Sequence, residues 1–285
     1  MGRKLKAIYE LEAYKEPEGN NLMIVDALNL AFRYKHAGKE EFAQDYLRTV
    51  QSLAKSYKSK NVLITCDWGK SSYRKEIYPE YKGDREAKVA AQTEEEQENF
   101  KLFFEEFERT MEYCGQEYPV IRYKGVEADD LAAYIVQYKW KVAPDEIWLI
   151  SSDKDWDLLL RENVHRFSFV TRKEYKLDNW HTYYEYPFEY ALDVKALTGG
   201  KDNVLGIEGV GPKRATELVN KYGSAFDIYD SLPLPGKAKY IHNLNAFGDL
   251  ILLNLQLIDK LTYCSAAIGT ENVENLKSIL DGVMI

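Results

Sequence analysis

The chain has 285 residues, 45% hydrophobic and 29% charged, enough to bury a core without disulfides or structural zinc and too apolar for a disordered or fibrous protein. Its formal net charge of -8 excludes a protein that coats nucleic acid through bulk positive charge. The first 20 residues hold no apolar leader, no stretch approaches 18 apolar residues, and Lys6 stands where a lipidation signal at Gly2 needs Ser or Thr, so a cytoplasmic protein without a membrane partner is expected.

In chain order, residues 22–26 (LMIVD), 62–67 (VLITCD), 120–123 (VIRY) and 147–153 (IWLISSD) are short β-rich apolar runs, which predict strands buried on both faces of a parallel sheet. Helical patterns lie between them: Phe42 to Lys58, a long polar stretch from about Ser71 to Cys114, and Ala128 to Lys141 with Leu131, Ile135 and Tyr138 on one face. The alternation predicts an α/β fold, a central mostly parallel sheet flanked by helices. Two further strands, HRFSF and RKEYKL, follow Val164. A boundary is placed near 186, dividing a core over 21–186 from a helical region over 187–285. The latter draws on Phe188 to Leu197, Lys213 to Tyr222, Ala225 to Tyr229 and Leu250 to Leu261. Charge is segregated: Arg48 to Lys88 holds ten basic and five acidic residues, whereas Glu94 to Glu108 holds seven Glu and one Lys. Cys66, Cys114 and Cys264 are odd in number and widely spaced, which fits a reducing compartment and no disulfide framework.

In open parallel sheets ligands bind beyond the carboxyl ends of the strands. Asp26, Asp67 and Asp153 stand at three such ends, Glu127, Asp129 and Asp130 open the helix after the third strand, and Asp155 follows Asp153 by two residues. One Asp in such a place is commonly a helix cap. Several converging on one edge cannot all stay ionised without cations, so the cluster points to a divalent metal, and its all-oxygen character to Mg²⁺ or Mn²⁺. The histidines (His36, His165, His181, His242) form no zinc motif. Gly69-Lys70-Ser71 resembles the end of a phosphate-binding loop, but Ile64 replaces its first glycine, so no nucleotide cofactor is expected.

Two further segments bear on nucleic acid. Gly206-Ile-Glu-Gly209-Val-Gly211-Pro-Lys213-Arg214-Ala215 is a helix-hairpin-helix pattern, where backbone N–H groups at a helix start beside Lys213 and Arg214 suit a phosphate backbone. Tyr78-Pro-Glu-Tyr81-Lys82-Gly83-Asp84-Arg85 with Lys88 places basic residues beside tyrosines, a combination suited to a single strand.

Together, Ile24-Val-Asp26 with Asn29, Asp67 with Gly69-Lys70-Ser71, Tyr81-Lys82-Gly83 with Arg85, Gly125-Val-Glu127-Ala-Asp129-Asp130, Ser152-Asp153-Lys154-Asp155 and the hairpin at 206 to 215 resemble the flap endonuclease (5′-to-3′ exonuclease) family, especially its compact tailed-phage members. The resemblance implies a PIN-like 5′-nuclease core with a helical arch over about 71–114, acting as a monomer on branched or 5′-flap DNA. It implies a first metal site formed or supported by Asp26, Asp67, Glu127, Asp129 and Asp130, and a second served by Asp153, Asp155 and Asp202. Lys82 and Arg85 are implied to face the scissile phosphate, Tyr81 to stack on a displaced base, Arg33 to contact a phosphate, and the hairpin at Gly209 and Gly211 to hold K⁺. One departure stands out: where the family has Gly-Asp-x-x-Asp-Asn, this chain reads Thr198-Gly199-Gly200-Lys201-Asp202-Asn203. Gly199 thus removes a carboxylate from the second site, and Gly199→Asp is expected to restore it. The runners-up are a junction-binding protein with weakened turnover, favoured by that departure, and a PIN-like ribonuclease, disfavoured by the hairpin.

Overall fold

The computed structural model describes residues 19–139 and 144–283. Gly2, Lys6 and the expected helix end at Lys141 lie outside them. The apolar runs form β1 (Asn21–Asp26), β2 (Ser59–Thr65), β3 (Val120–Ile121), β4 (Ile147–Ile150) and β5 (Val164–Ser168), parallel throughout, with β6 (Lys173–Tyr175) antiparallel on the edge. The order is β3-β2-β1-β4-β5-β6. From β1 the chain winds outward to β3, then returns to lay β4 on the opposite side of β1. The strand order therefore reverses at the carboxyl ends of β1 and β4, where a ligand crevice opens.

Alternation along β1 builds both faces. Leu22 and Ile24 join Leu63, Ile147 and Leu149 against helix α6 (Ala128–Lys139), whereas Met23 and Val25 join Val62, Ile64, Trp148 and Ile150 on the other side. That second face is covered by α1 (Ala27–His36), α2 (Ala43–Ser56) and the long α5 (Glu94–Cys114). Helix α1 was absent from the sequence reading, although Ala27, Leu30, Ala31 and Tyr34 follow helical spacing and are its buried residues. The stretch from Ser71 to Cys114 is three helices: α3 (Ser72–Ile77), α4 (Gly83–Ala90) and α5. Pro79 falls in the break between α3 and α4, and α5 starts afresh on a capping box made by Thr93 and Glu96. Cys66, Cys114 and Cys264 are all buried free thiols.

Beyond β6 the chain is helical: α7 (Ala191–Thr198), α8 (Pro212–Tyr222), α9 (Ala225–Asp230), α10 (Lys239–Ala246) and α11 (Asp249–Ile258) enclose a separate cluster around Leu197, Ala215, Ile228 and Leu244. The expected helix at 250 to 261 is divided at Asp259, which ends α11 and caps α12 (Lys260–Ile268) by accepting from the Thr262 N–H at 3.0 Å. Helix α12 and α13 (Thr270–Val283) then return to the sheet, packing Cys264, Ile268, Leu276 and Leu280 among residues of α6 and β1. The boundary near 186 therefore separates two stretches of sequence but not two independent cores.

One side chain ties α11 to the loop ahead of the hairpin. Asn254, fully buried, donates from Nδ2 to the carbonyls of Ala196 (2.7 Å) and Leu205 (2.8 Å). Removing it takes the donor from the buried Ala196 carbonyl and from the part-buried Leu205 carbonyl. Asn254→Ala is expected to lower stability by about 2–3 kcal/mol in urea denaturation, whereas Phe247→Ala, at an exposed position, is expected to change it by less than about 0.5 kcal/mol.

Candidate active site

Each carboxylate at the sheet edge is placed by a local structural duty. Asp26 caps α1 through the Asn29 N–H (3.2 Å) and accepts from the Ser151 hydroxyl (2.7 Å). Asn29 in turn accepts from the Ser152 N–H (2.9 Å), so the ends of β1 and β4 are stitched together. Asp67, two residues beyond β2, accepts from the Ala128 N–H at the start of α6 (2.6 Å), and Asp153, three residues beyond β4, accepts from the Asp155 N–H (2.9 Å). Asp26, Asn29, Asp67, Asp129 and Asp153 line one cleft, together with Lys82 and Arg85.

Within it the acids suppress one another's ionisation. Burial, aided by Asp67 and Asp153, pushes the Asp26 carboxyl well above its ordinary range. Asp67 is pushed up to about 6, chiefly by burial and then by Asp129 and Glu127, despite the Ala128 hydrogen bond and Lys82. Asp153 is raised by burial and by Asp155. Oxygens of Glu127, Asp129 and Asp130 lie within 4.8 Å of one another. Asp129 Oδ1 is buried without a hydrogen-bond partner. An orphan carboxylate oxygen among other hard oxygen donors fits a divalent cation.

Behind the cleft stand Arg74 and Lys260, which no motif singles out in the sequence, and Lys82 meets the same acids from the open side. Arg74 of α3, fully buried, donates to both oxygens of Asp130 (2.7 Å each), to Glu127 Oε2 (2.8 Å) and to the Leu257 carbonyl (2.8 Å). Lys260 Nζ lies 3.1 Å from Asp129 Oδ2 and 3.3 Å from Glu127 Oε2. Lys82 bonds Glu127 Oε1. Burial alone would raise the Glu127 carboxyl, but Lys260, Lys82 and Arg74 together hold it well below the usual range. Asp130, with both oxygens engaged by Arg74, supports the site from behind instead of facing the cleft. Arg74 lies four residues before the Tyr78 to Arg85 segment, but no local pattern marks it or Lys260 as part of the site.

The expected second-site acids also carry internal partners. Asp155 pairs with Lys195 of α7, and Asp202 with Arg85 through two bonds of 2.6 and 2.7 Å. The Lys82 N–H donates to the Asp202 carbonyl (3.0 Å) and Asn203 Nδ2 to the Glu80 carbonyl (3.0 Å), so the 198–203 loop is fastened to the start of α4. Lys82, Asp202 and Asn203 all adopt left-handed backbone, with φ of 56°, 65° and 64°. Non-glycine residues in that region store strain, held here by this cross-link.

Tyr81 requires correction. It is 5% exposed, packed in the apolar cluster of Leu197 and Val204, and its hydroxyl lies 3.4 Å from Glu127 Oε2. A ring enclosed in this way cannot stack on a base. Of the remaining residues, Arg33, Lys88, Lys213 and Arg214 are exposed. Arg33 shares a surface groove with Lys39, Arg48 and Arg172. In the hairpin, Gly209 has φ +86° and Gly211 is the extended N-cap of α8, with Pro212 at its first position. Arg214 donates to the Gly209 carbonyl (2.5 Å) and lies 4.8 Å from the Tyr240 ring.

Residues 21–185 match the family described as 5′-3′ exonuclease, N-terminal resolvase-like domain. The chain is 44% identical over 288 residues to the flap endonuclease of Escherichia phage T5, covering 99% of each, and 28% identical to DNA polymerase I of Rhizobium leguminosarum, covering 85% of this chain and 24% of that one. Among solved structures it is similar to the T5 D15 protein co-crystallized with metal ions (TM-score 0.88, 44% identity, 92% of this chain and 99% of that one). A D15 flap endonuclease complex with DNA and metal ions matches with TM-score 0.88 and 44% identity, covering 92% of this chain and 98% of that one. The catalytic core of Rad2 shares the fold (TM-score 0.50, 14% identity, 94% of this chain and 93% of that one).

The geometry also overturns the expectation for Gly199. Its φ is +68°, and an added Cβ would lie 2.2 Å from the Gly206 nitrogen and 2.5 Å from the Val204 carbonyl oxygen. Gly199→Asp is therefore expected to destabilise the protein by more than about 2 kcal/mol in thermal or urea unfolding instead of supplying a ligand. Gly200 has nothing within 4 Å of its Cβ position, so Gly200→Asp is expected to fold with near-unchanged stability.

Proposed function

Because the chain belongs to the 5′-3′ exonuclease family, we propose that it cleaves DNA near the junction of a duplex and a 5′ single-stranded arm, with Mg²⁺ or Mn²⁺ held at the ends of β1 and β4. The enzyme is a metal-dependent 5′-nuclease of the flap endonuclease type. The observation that carries the reading is Asp129 Oδ1, buried and unpartnered where the carboxylates of three strand ends converge. In this reading Asp26, Asp67, Glu127 and Asp129 hold a first ion, and Asp153, Asp155 and Asp202 serve a second. Such ions supply electrophilic stabilisation of the phosphate and an activated water at neutral pH.

The protein's own residues orient and neutralise. Lys82 and Arg85 border the cleft, each resting on a carboxylate, Glu127 and Asp202 respectively. A phosphate entering the cleft competes for both, and charge developing on its oxygens meets preorganised donors. Arg74 and Asp130 keep Glu127 oriented while this exchange occurs. Lys213 and Arg214 flank the hairpin, where contacts to the duplex backbone fix register without reading bases. Potassium at the hairpin belongs to the same reading. So does action as a monomer, since one chain supplies every residue named.

Chelation is expected to abolish cleavage of a labelled 5′-flap DNA, and Mg²⁺ or Mn²⁺, but not Ca²⁺, to restore it, because loosely coordinated Ca²⁺ positions water less strictly. Asp129→Asn is expected to remove turnover while leaving flap affinity within a few-fold. Comparable cleavage of single-stranded RNA, or full turnover in chelator, would refute the reading.

Two lysines are expected to separate chemistry from binding. Lys82→Ala should lower kcat by about 10²–10³-fold, roughly 3–4 kcal/mol of transition-state stabilisation, with a small effect on affinity. Lys213→Ala should weaken duplex binding and reduce the log–log salt slope by ~0.9, one phosphate contact. Single-turnover kinetics and binding titrations at several salt concentrations measure both.

A further inference from the structure

The mechanism uses the cations on the open side of the cleft and leaves Lys260 unexplained. This lysine is only 4% exposed and opens α12, the helix that returns to the sheet from the carboxyl-terminal region. Its ammonium reaches Asp129 Oδ2 at 3.1 Å and Glu127 Oε2 at 3.3 Å. Burying an ammonium is costly unless it is paired, and here the partners are two of the carboxylates that would hold a divalent ion. The pairing is one-sided: Asp129 gives one oxygen to Lys260 and keeps the other without a partner. The charged groups around the ammonium are Asp129, Glu127 and Asp130 of the α6 region and Arg74 of α3, with Lys82 and Asp155 on the side of the cleft. The three carboxylates of the α6 region face three cations, Arg74, Lys260 and, at the open side on Glu127, Lys82. Without Lys260 the cluster is one counter-charge short and Asp129 has no cation paired with it among the described residues.

We propose that Lys260 is a positioning residue of the metal centre, a fixed internal counter-cation that holds Asp129 and Glu127 in ligating orientation before the metal arrives. It turns one oxygen of Asp129 toward the ion, keeps the empty site folded, and limits how tightly a divalent cation is retained. The inference rests on the reading of this cleft as a metal centre, but it is tested without DNA or turnover.

The sign of the effect separates positioning by charge from mere packing. A residue that only fills space or braces the fold weakens metal binding when it is removed. A counter-cation competing with the metal for the same carboxylates strengthens it, since hard-cation affinity rises with the negative charge of the ligand set. The full chain, stripped of metal, is titrated calorimetrically with Ca²⁺ or Mn²⁺ alone and unfolded thermally with and without saturating Ca²⁺. Lys260→Met is expected to bind the ion at least ten-fold more tightly, and to unfold at lower temperature when metal-free, with most of that loss recovered by Ca²⁺. Lys260→Arg should stay close to the unaltered protein in both measurements. Lys260→Gln, which keeps a donor but loses the charge, is measured alongside in case the methionine variant fails to fold, and the same tightening is required of it. Equal or weaker metal binding in the charge-removing variants, or a stability loss that Ca²⁺ does not restore, overturns the proposal. If the unaltered protein binds neither ion, the metal-centre reading falls first and this inference with it.

Discussion

The interaction on which the rest of the site depends is the buried pairing of Arg74 with Glu127 and Asp130. One guanidinium joins α3, the start of α6 and, through the Leu257 carbonyl, the end of α11. Three segments distant in sequence thus meet on a planar group with donors in fixed directions, a task a lysine could not perform. Removing either side of such a pair leaves an uncompensated buried charge, the situation in which losses reach several kcal/mol. The acids can therefore crowd together at the sheet edge because the back of the cluster is already neutralised, and only the front is left for a ligand.

Front and back differ in exposure. Arg74 and Lys260 are enclosed, whereas Lys82 and Arg85 keep about a quarter and half of their side-chain surface exposed (26% and 56%). The enclosed cations set the resting charge of the cluster. Arg85 can trade Asp202 for a phosphate at small cost, because a solvent-exposed ion pair contributes little to stability. Lys82 instead rests on the buried Glu127, which keeps Arg74 and Lys260 as partners when Lys82 turns to a phosphate. Charge compensation is thereby split between a permanent part and an exchangeable part within a single cleft.

Much of this was legible in the sequence. The apolar runs at 22–26, 62–67 and 147–153 read as strands because a parallel strand buried on both faces needs no polar alternation. An Asp at a strand end is visible as a break between an apolar run and a helix. Helix α1 was equally readable from its own spacing, yet short helices that follow a strand without a turn residue carry little punctuation. What the sequence does not display is pairing at long separation. Arg74 meets Asp130 and Lys260 meets Asp129 because of how α3 and α12 pack, and no local pattern encodes that. Tyr81 illustrates the same limit: aromatic residues beside lysines suit base stacking, but burial is decided by α7 and the 204–207 segment folding over the ring. At Gly199 the residue type was informative and its reason lay elsewhere, in the close approach of the Gly206 backbone.

The return of α12 and α13 to the sheet has a consequence for biosynthesis. The face of the sheet built on Leu22 and Ile24 is completed by Ile268, Leu276 and Leu280, which leave the ribosome after every strand has been made. Until then α6, which lies on that face, leaves apolar surface uncovered, and Asp129 lacks the Lys260 ammonium. A nascent chain can pair its strands early, but it cannot finish the buried half of its charged cluster until α12 has docked. For an enzyme that cuts phosphodiesters, maturation of the site is tied to translation of residues 260–283, so a product truncated before them emerges with both its core and its reactive centre unfinished.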